Sequence, residues 1–208
     1  MEATQKLYKE IQAQKMPNLI CTGQISEIGE THVSKSGNYI VTEVKLVADG
    51  AGRNTSVYLC VRPEWFVKGF DPSTIFDEFG KGVDFVYRTH FDNRKKTVSY
   101  LRGLIGSEEG FVQFRNNTLL DSAEEFDNNT FNAALRAAVT TSVGYVMKQD
   151  ADKIVEEDED GNAQVSYIRN ENYKLDRMFY PTKEELKRQR NYAEKSNGNA
   201  LFTCEVPF

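Results

Sequence analysis

Three cysteines, two histidines, one tryptophan and five prolines are all that 208 residues hold of those types. Cys21, Cys60 and Cys204 are odd in number, far apart and free of any CxxC pair, which excludes a disulfide framework and a zinc ribbon and predicts reduced thiols. With His32 and His90 as the only histidines, a Ser/His/Asp or Cys/His arrangement has few members to draw on. Neither stands in a paired metal-ligand spacing, so no metal and no cofactor is expected. No run approaches the roughly 18 apolar residues of a membrane-spanning helix, and MEATQKLYKEIQAQK lacks the apolar centre of a signal peptide. The expectation is a cytoplasmic protein with no membrane partner. No internal repeat is visible either.

What is present is an ordinary globular composition, 39% hydrophobic and 27% charged, with a net charge of −5 that is unevenly spread. Residues 107–170 hold five basic residues against thirteen acids, whereas Lys81 to Arg102 holds six against two. A mildly acidic chain of this kind still has a basic segment to offer a polyanion, and that segment also carries aromatic rings.

Residues 1–17 read as a short helical arm closed by Pro17. The period then becomes that of strands: NLICTGQISEI (18–28), a Gly/Ser/Lys-rich connection, YIVTEVKLVA (39–48), the turn DGAGRN, and TSVYLCV (55–61) stopped by Pro63. Gly50-Ala51-Gly52 is part of that turn and lacks the GK[ST] of a phosphate loop. DPSTIFDEFG predicts one short helix, with Asp71 as cap and Pro72 in its first turn. A fourth run, VDFVYRTHF (83–91), and a fifth, TVSYLRGLI (97–105), are joined by DNRKK read as a hairpin turn. The rest divides into a helical extension at 107–150, with one or two helices and a long one expected at 130–148, and a segment at 151–208. That last segment comprises the acidic loop EEDEDG, a short strand QVSYIR, a charged helix opened by Thr182 and Glu185 as a capping box, and a flexible tail.

Five strands with a helix between the third and fourth, across 18–106, is the element order of an OB-fold barrel. The expected class is therefore mainly β with α: a five-stranded OB-fold-like barrel followed by a helical C-terminal extension. The middle strands and the loops joining strands one to two and four to five form the usual ligand surface of that fold. Those loops hold Lys35 and then Arg94, Lys95 and Lys96. If Ile40, Val44 and Leu46 point inward, Tyr39, Glu43 and Lys45 point outward, and if Val57, Leu59 and Val61 are core, Tyr58 and Arg62 are exposed. The same parity leaves Arg88 outside on strand four, while Tyr100 and Arg102 share a face of strand five. Single strands are held by cationic grooves with rings on which bases stack. Tyr39, Tyr58, Trp65 and Tyr100 are the candidate stacking platforms. Lys35, Lys45, Arg62, Arg88, Arg94, Lys95, Lys96 and Arg102 are the candidate phosphate contacts.

The chain closes Glu205-Val206-Pro207-Phe208. This resembles the tip of bacterial and phage single-stranded DNA-binding proteins, which ends in hydrophobic-Pro-Phe after a run of acids. Only Glu205 stands here in place of that run, and the acidic residues lie upstream at 156–160. The resemblance implies a non-enzymatic protein that coats single-stranded DNA without sequence preference in replication, recombination and repair. It implies recruitment of replication and repair proteins through residues 205–208, and the host cytoplasm as the place of action for a bacteriophage protein. In such relatives an acidic segment competes with DNA, a role open here to 156–160.

Two other classes fit parts of the sequence. In one, the β-domain is a scaffold and the helix at 130–148 makes a homo-oligomer or a virion-associated contact. In the other, Glu43-Val44-Lys45 is half of a metal-dependent nuclease motif whose missing upstream acid would have to be Glu27.

Overall fold

A computed structural model describes residues 15–70, 84–157 and 163–205, with side chains described outside 84–93 and 153–167. Its elements are β1 (Asn18–Ile28), β2 (His32–Val33), β3 (Ile40–Ala48), β4 (Thr55–Val61), α1 (Asp84–Ile105), α2 (Glu108–Asn117), α3 (Asn128–Ala138), β5 (Ser142–Glu157), β6 (Ala163–Phe179), α4 (Lys183–Lys195) and β7 (Ala200–Phe202). Short 3-10 turns at Pro63–Phe66 and Ala123–Glu125 complete them. The predicted arm lies outside the described residues up to Lys15, as does the helix expected at 71–80.

The strands form one mixed sheet in the order β4-β3-β1-β5-β6, antiparallel throughout this spine. β2 carries on the line of β1 after a break and pairs with the start of β3, and β7 lies parallel to the first residues of β1. Among the described residues β4 and β6 form no ladder with each other, so the sheet is open along that seam and the expected barrel is not closed.

The first three strands run where their alternation places them. Val44, Leu46, Val57, Leu59 and Val61 are buried, and Thr42 shares their face. That parity stacks five apolar side chains from two adjacent strands onto one face, the face that α1, α2 and α3 cover.

The fourth and fifth strands are not at 83–105. That segment is one 22-residue helix, α1. Thr97, Tyr100, Leu101, Leu104 and Ile105 recur at three-to-four spacing and are all buried, a stripe that satisfies the helical period better than the alternation does. DNRKK contains no Gly or Pro to force a turn, so the helix runs through it. The real fourth and fifth strands are β5 and β6, from 142–179. The helix expected at 130–148 stops at Ala138, because the run Val139-Thr140-Thr141-Ser142-Val143 is β-branched or short and polar and continues as strand. Its apolar residues Phe131 and Leu135 are buried against Phe66, Phe114 and Phe126, inside the chain's own core. QVSYIR is an interior piece of the 17-residue β6.

α1 lies across the open seam. Thr97 donates to the Cys60 carbonyl on β4 at 3.0 Å, and Tyr100 O–H reaches toward the Leu175 carbonyl on β6 at 3.5 Å. At Gly103 the Cβ of Met178 on β6 comes so near that a side chain on α1 would collide with it.

α3 pins the break between β1 and β2. Asn132 donates to the Gly29 carbonyl at 2.7 Å and to Thr31 Oγ1 at 3.1 Å, and Arg136 donates to the Ile28 carbonyl. On the other side of the sheet Ile20 and Val146 are covered by Ala193 of α4 together with Phe179 of β6 and Phe202 of β7. Thr182 caps α4 by accepting from Glu185 N–H at 3.2 Å, as the sequence predicts, but the Glu185 carboxylate turns to Arg188 and Gln189 instead of completing the box. Of the tail expected to be flexible, residues 200–203 are docked: β7 pairs with β1, Thr203 N–H donates to the Ile20 carbonyl at 3.1 Å, and Ala51 N–H donates to the Thr203 carbonyl at 3.0 Å.

Candidate nucleic-acid interface

The outer parity of β3 and β4 collects Tyr39, Val41, Glu43 and Lys45 beside Ser56, Tyr58, Cys60 and Arg62. In the ladder Glu43 faces Tyr58 and Lys45 faces Ser56. Tyr58 is 56% exposed, the most open large ring of this face. Its hydroxyl donates to Glu43 Oε1 at 3.2 Å, so the ring is tethered at its far end. Beyond the end of β4, Trp65 and Tyr39 meet edge to face with centroids 6.3 Å apart, both half-buried, and Trp65 packs on the core.

Where β4 meets the seam, the face runs into a cleft of about 540 Å³ lined by Thr55, Ser56, Tyr58 and Cys60 from β4, Lys96, Thr97 and Tyr100 from α1, and Lys174 and Leu175 from β6. Lys96 lies over the Tyr100 ring at 5.6 Å and has no ion-pair partner among the described residues. Lys174 is paired with Asp150 at 2.5 Å, an interaction that holds the Asp150 carboxyl below its ordinary range. Burial pushes the Cys60 thiol up, so it stays protonated at the floor of this cleft.

Most other cations of the face are also tied. Lys45 Nζ sits 2.8 Å from Glu27, whose hydrogen bond raises the lysine further above its usual value. Arg62 pairs with Glu64 at 3.3 Å. These are exposed or half-exposed pairs of the kind that exchange partners at little cost.

The sequence-predicted residues are thus brought together in part. Tyr39, Lys45, Tyr58, Arg62 and Trp65 share the β3–β4 side, and Lys96 joins them from α1. Lys35 stands exposed on the turn between β2 and β3. Arg94, Lys95 and Lys96 are not a hairpin tip but consecutive residues of a helix, whose geometry sends them in three directions. Arg94 is half-buried over the Phe70 ring at 5.4 Å, and its Nε has no acceptor. Burial first and Arg115 second lower its hold on the proton. Arg102, in the last turn of α1, pairs with Glu108 at 3.1 Å and covers the Phe111 ring at 4.9 Å, at the α1–α2 corner. Tyr100 is 5% exposed and is a wall of the cleft, not a stacking platform. Its buried hydroxyl is pushed up to about 12. Arg88 lies in α1 where side chains are not described. Glu205 is exposed, and Val206, Pro207 and Phe208 lie outside the described residues.

Sequence reasoning missed Thr97, Lys174 and Leu175. The alternation of Tyr173 and Leu175 with Lys174 and Asp176 was the available signal for β6. Among the described residues no three His, Cys, Asp or Glu side chains gather as metal ligands. Glu27 is spent on Lys45, and Glu43 on Ser56 and Tyr58. No described helix is long and apolar enough to cross a membrane.

Set against protein-family models, curated proteins and solved structures, the chain matches none of them.

Proposed function

We propose that this protein binds single-stranded DNA of any sequence along the outer face of β3 and β4, and that its sheet is an OB-type barrel left open between β4 and β6. The strand order supports the second part: a three-strand meander β1-β3-β4, a helical crossover, and a hairpin β5-β6 whose first strand returns to β1. An OB fold is itself a partly open barrel that uses this strand face.

The observation that carries the reading is the joint placement of Tyr39, Lys45, Tyr58 and Arg62 on one parity of two adjacent strands, with Lys96 across the adjoining cleft. A strand laid along them would stack a base on Tyr58, each such stack worth about 1–3 kcal/mol, and pass its phosphates by Lys96, Lys45 and Arg62. No chemistry is required of the protein. In this reading it protects single strands during replication or recombination, and its C-terminal tip, Glu205 to Phe208, recruits partner proteins.

The experiment is a titration of labelled oligo-dT, oligo-rU and a duplex at two salt concentrations, read by anisotropy and by Trp65 emission. Salt-sensitive binding of single strands with little duplex binding is expected. No anisotropy change for any strand at low salt overturns the reading.

A further inference from the structure

One carboxylate stands in the middle of a face proposed to hold a polyanion. Glu43 lies directly opposite Tyr58, and its two oxygens are used unequally. Oε1 accepts from Ser56 Oγ at 2.6 Å and from Tyr58 O–H at 3.2 Å, whereas Oε2 accepts nothing among the described residues. The Ser56 hydrogen bond, helped by Tyr58 and by the charge of Lys45, keeps the carboxyl below its ordinary range and therefore ionised.

A fixed anion of this kind repels phosphate, so the backbone of a bound strand would run along the flank carrying Lys96 and its bases would face Glu43. The bases differ in what they offer such an acceptor. Cytosine, adenine and guanine each carry an exocyclic amine, and a carboxylate accepts from cytosine N4 as a matter of geometry. Thymine and uracil present carbonyl oxygens on either side of a single N–H, so the free oxygen would approach them against two like dipoles.

We infer that Glu43 biases this face toward amine-bearing bases, its free Oε2 accepting from the exocyclic amine of a base stacked at Tyr58, so that cytosine-rich strands are held over thymine-rich ones. The inference rests on the nucleic-acid reading above and specifies what that site selects. Ser56 and Tyr58 act as positioning residues: by occupying Oε1 they aim Oε2 outward.

The test compares oligo-dC with oligo-dT of equal length, about 20 nucleotides, at neutral pH, two pyrimidines that differ in carrying or lacking the exocyclic amine. The native protein is expected to favour dC by about five-fold, the lower end of one base contact. In E43Q the amide oxygen takes over the Ser56 and Tyr58 bonds and an NH₂ donor faces the base, so the preference should invert toward dT. In E43A it should vanish without inverting. A dC/dT ratio left unchanged by both variants, with circular dichroism showing them folded, overturns the role of Glu43 while leaving the binding face in place. Failure of the native protein to bind either strand overturns the binding face itself, and the role of Glu43 with it.

Discussion

Thr97 of α1 hydrogen-bonds the Cys60 carbonyl of β4 at 3.0 Å, so a helix side chain takes a place on an open strand edge where another strand would have paired. Thr97 is 3% exposed, which leaves water little chance to substitute for it. Thr97→Val keeps the shape and deletes the donor. The expected cost is about 1–2 kcal/mol in urea unfolding, because the carbonyl loses its partner. A variant as stable as the native protein would show that the seam is held by apolar contact alone.

Residues 95–99 distinguish a helix from two strands by a direct route. Ser99 is exposed on α1, and Ser99→Pro removes an intrahelical hydrogen bond and clashes with the preceding turn. A loss of about 3 kcal/mol or failure to fold is expected, whereas Ser99→Ala should be neutral or slightly stabilising. A proline tolerated at this position would refute a continuous helix.

The buried hydroxyl of Tyr100 predicts an alkaline signature. Its folded pKa, raised to about 12 by burial, lies above the unfolded value near 10, so the native state keeps a proton the unfolded state releases. The stabilising contribution is complete below pH 10 and is lost as pH rises from 10 toward 12. Denaturant melts across that window should fall by up to about 1.4 kcal/mol per pH unit from this group, and Tyr100→Phe should remove that part of the slope. Equal slopes in the two proteins would contradict it.

Lys96, without an ion-pair partner among the described residues, is the cation best placed to meet a phosphate at the cleft. Lys96→Glu should weaken binding to every single-stranded sequence alike and lower the dependence of affinity on salt by about one unit of slope. Lys95→Glu, one residue earlier and turned to another side of the helix, should do much less. Equal effects of the two substitutions would place the strand elsewhere.

How much could be read beforehand follows from the range of the contacts involved. The segments Ile40–Ala48 and Thr55–Val61 announce themselves because each buries one parity against a neighbour joined by a short turn, and Asn18–Ile28 by its apolar, β-branched run, which is buried on both faces at Leu19 to Cys21. Tyr58 and Lys45 were therefore identifiable as outward-facing residues. α1 defeats the same reasoning because Phe85, Tyr87 and Phe91 satisfy alternation locally, while the buried stripe from Thr97 to Ile105 acquires meaning only once β4 and β6 exist to receive it. β5 and β6 were obscured because β1, the strand on which β5 and through it the hairpin is laid, lies more than a hundred residues earlier, and their charged residues pair with each other across the hairpin, as Lys148 does with Asp176. The cleft belongs to that long-range geometry, which is why Lys174 and Thr97 went unread.

Asn18 and Ala200 are neighbours in the sheet, and Asn18 N–H donates to the Asn199 carbonyl at 2.8 Å. A ribosome extruding this chain presents β1 long before β7, and the strand that flanks the opening residues of β1 emerges only after α4. Until residue 202 has left the exit tunnel, the edge of Asn18 to Ile20 that β7 covers stays unpaired, available to any other strand nearby. Newly made protein is thus most exposed to misassociation during synthesis, and a chaperone that shields Asn18 to Ile20 would act at the point of need.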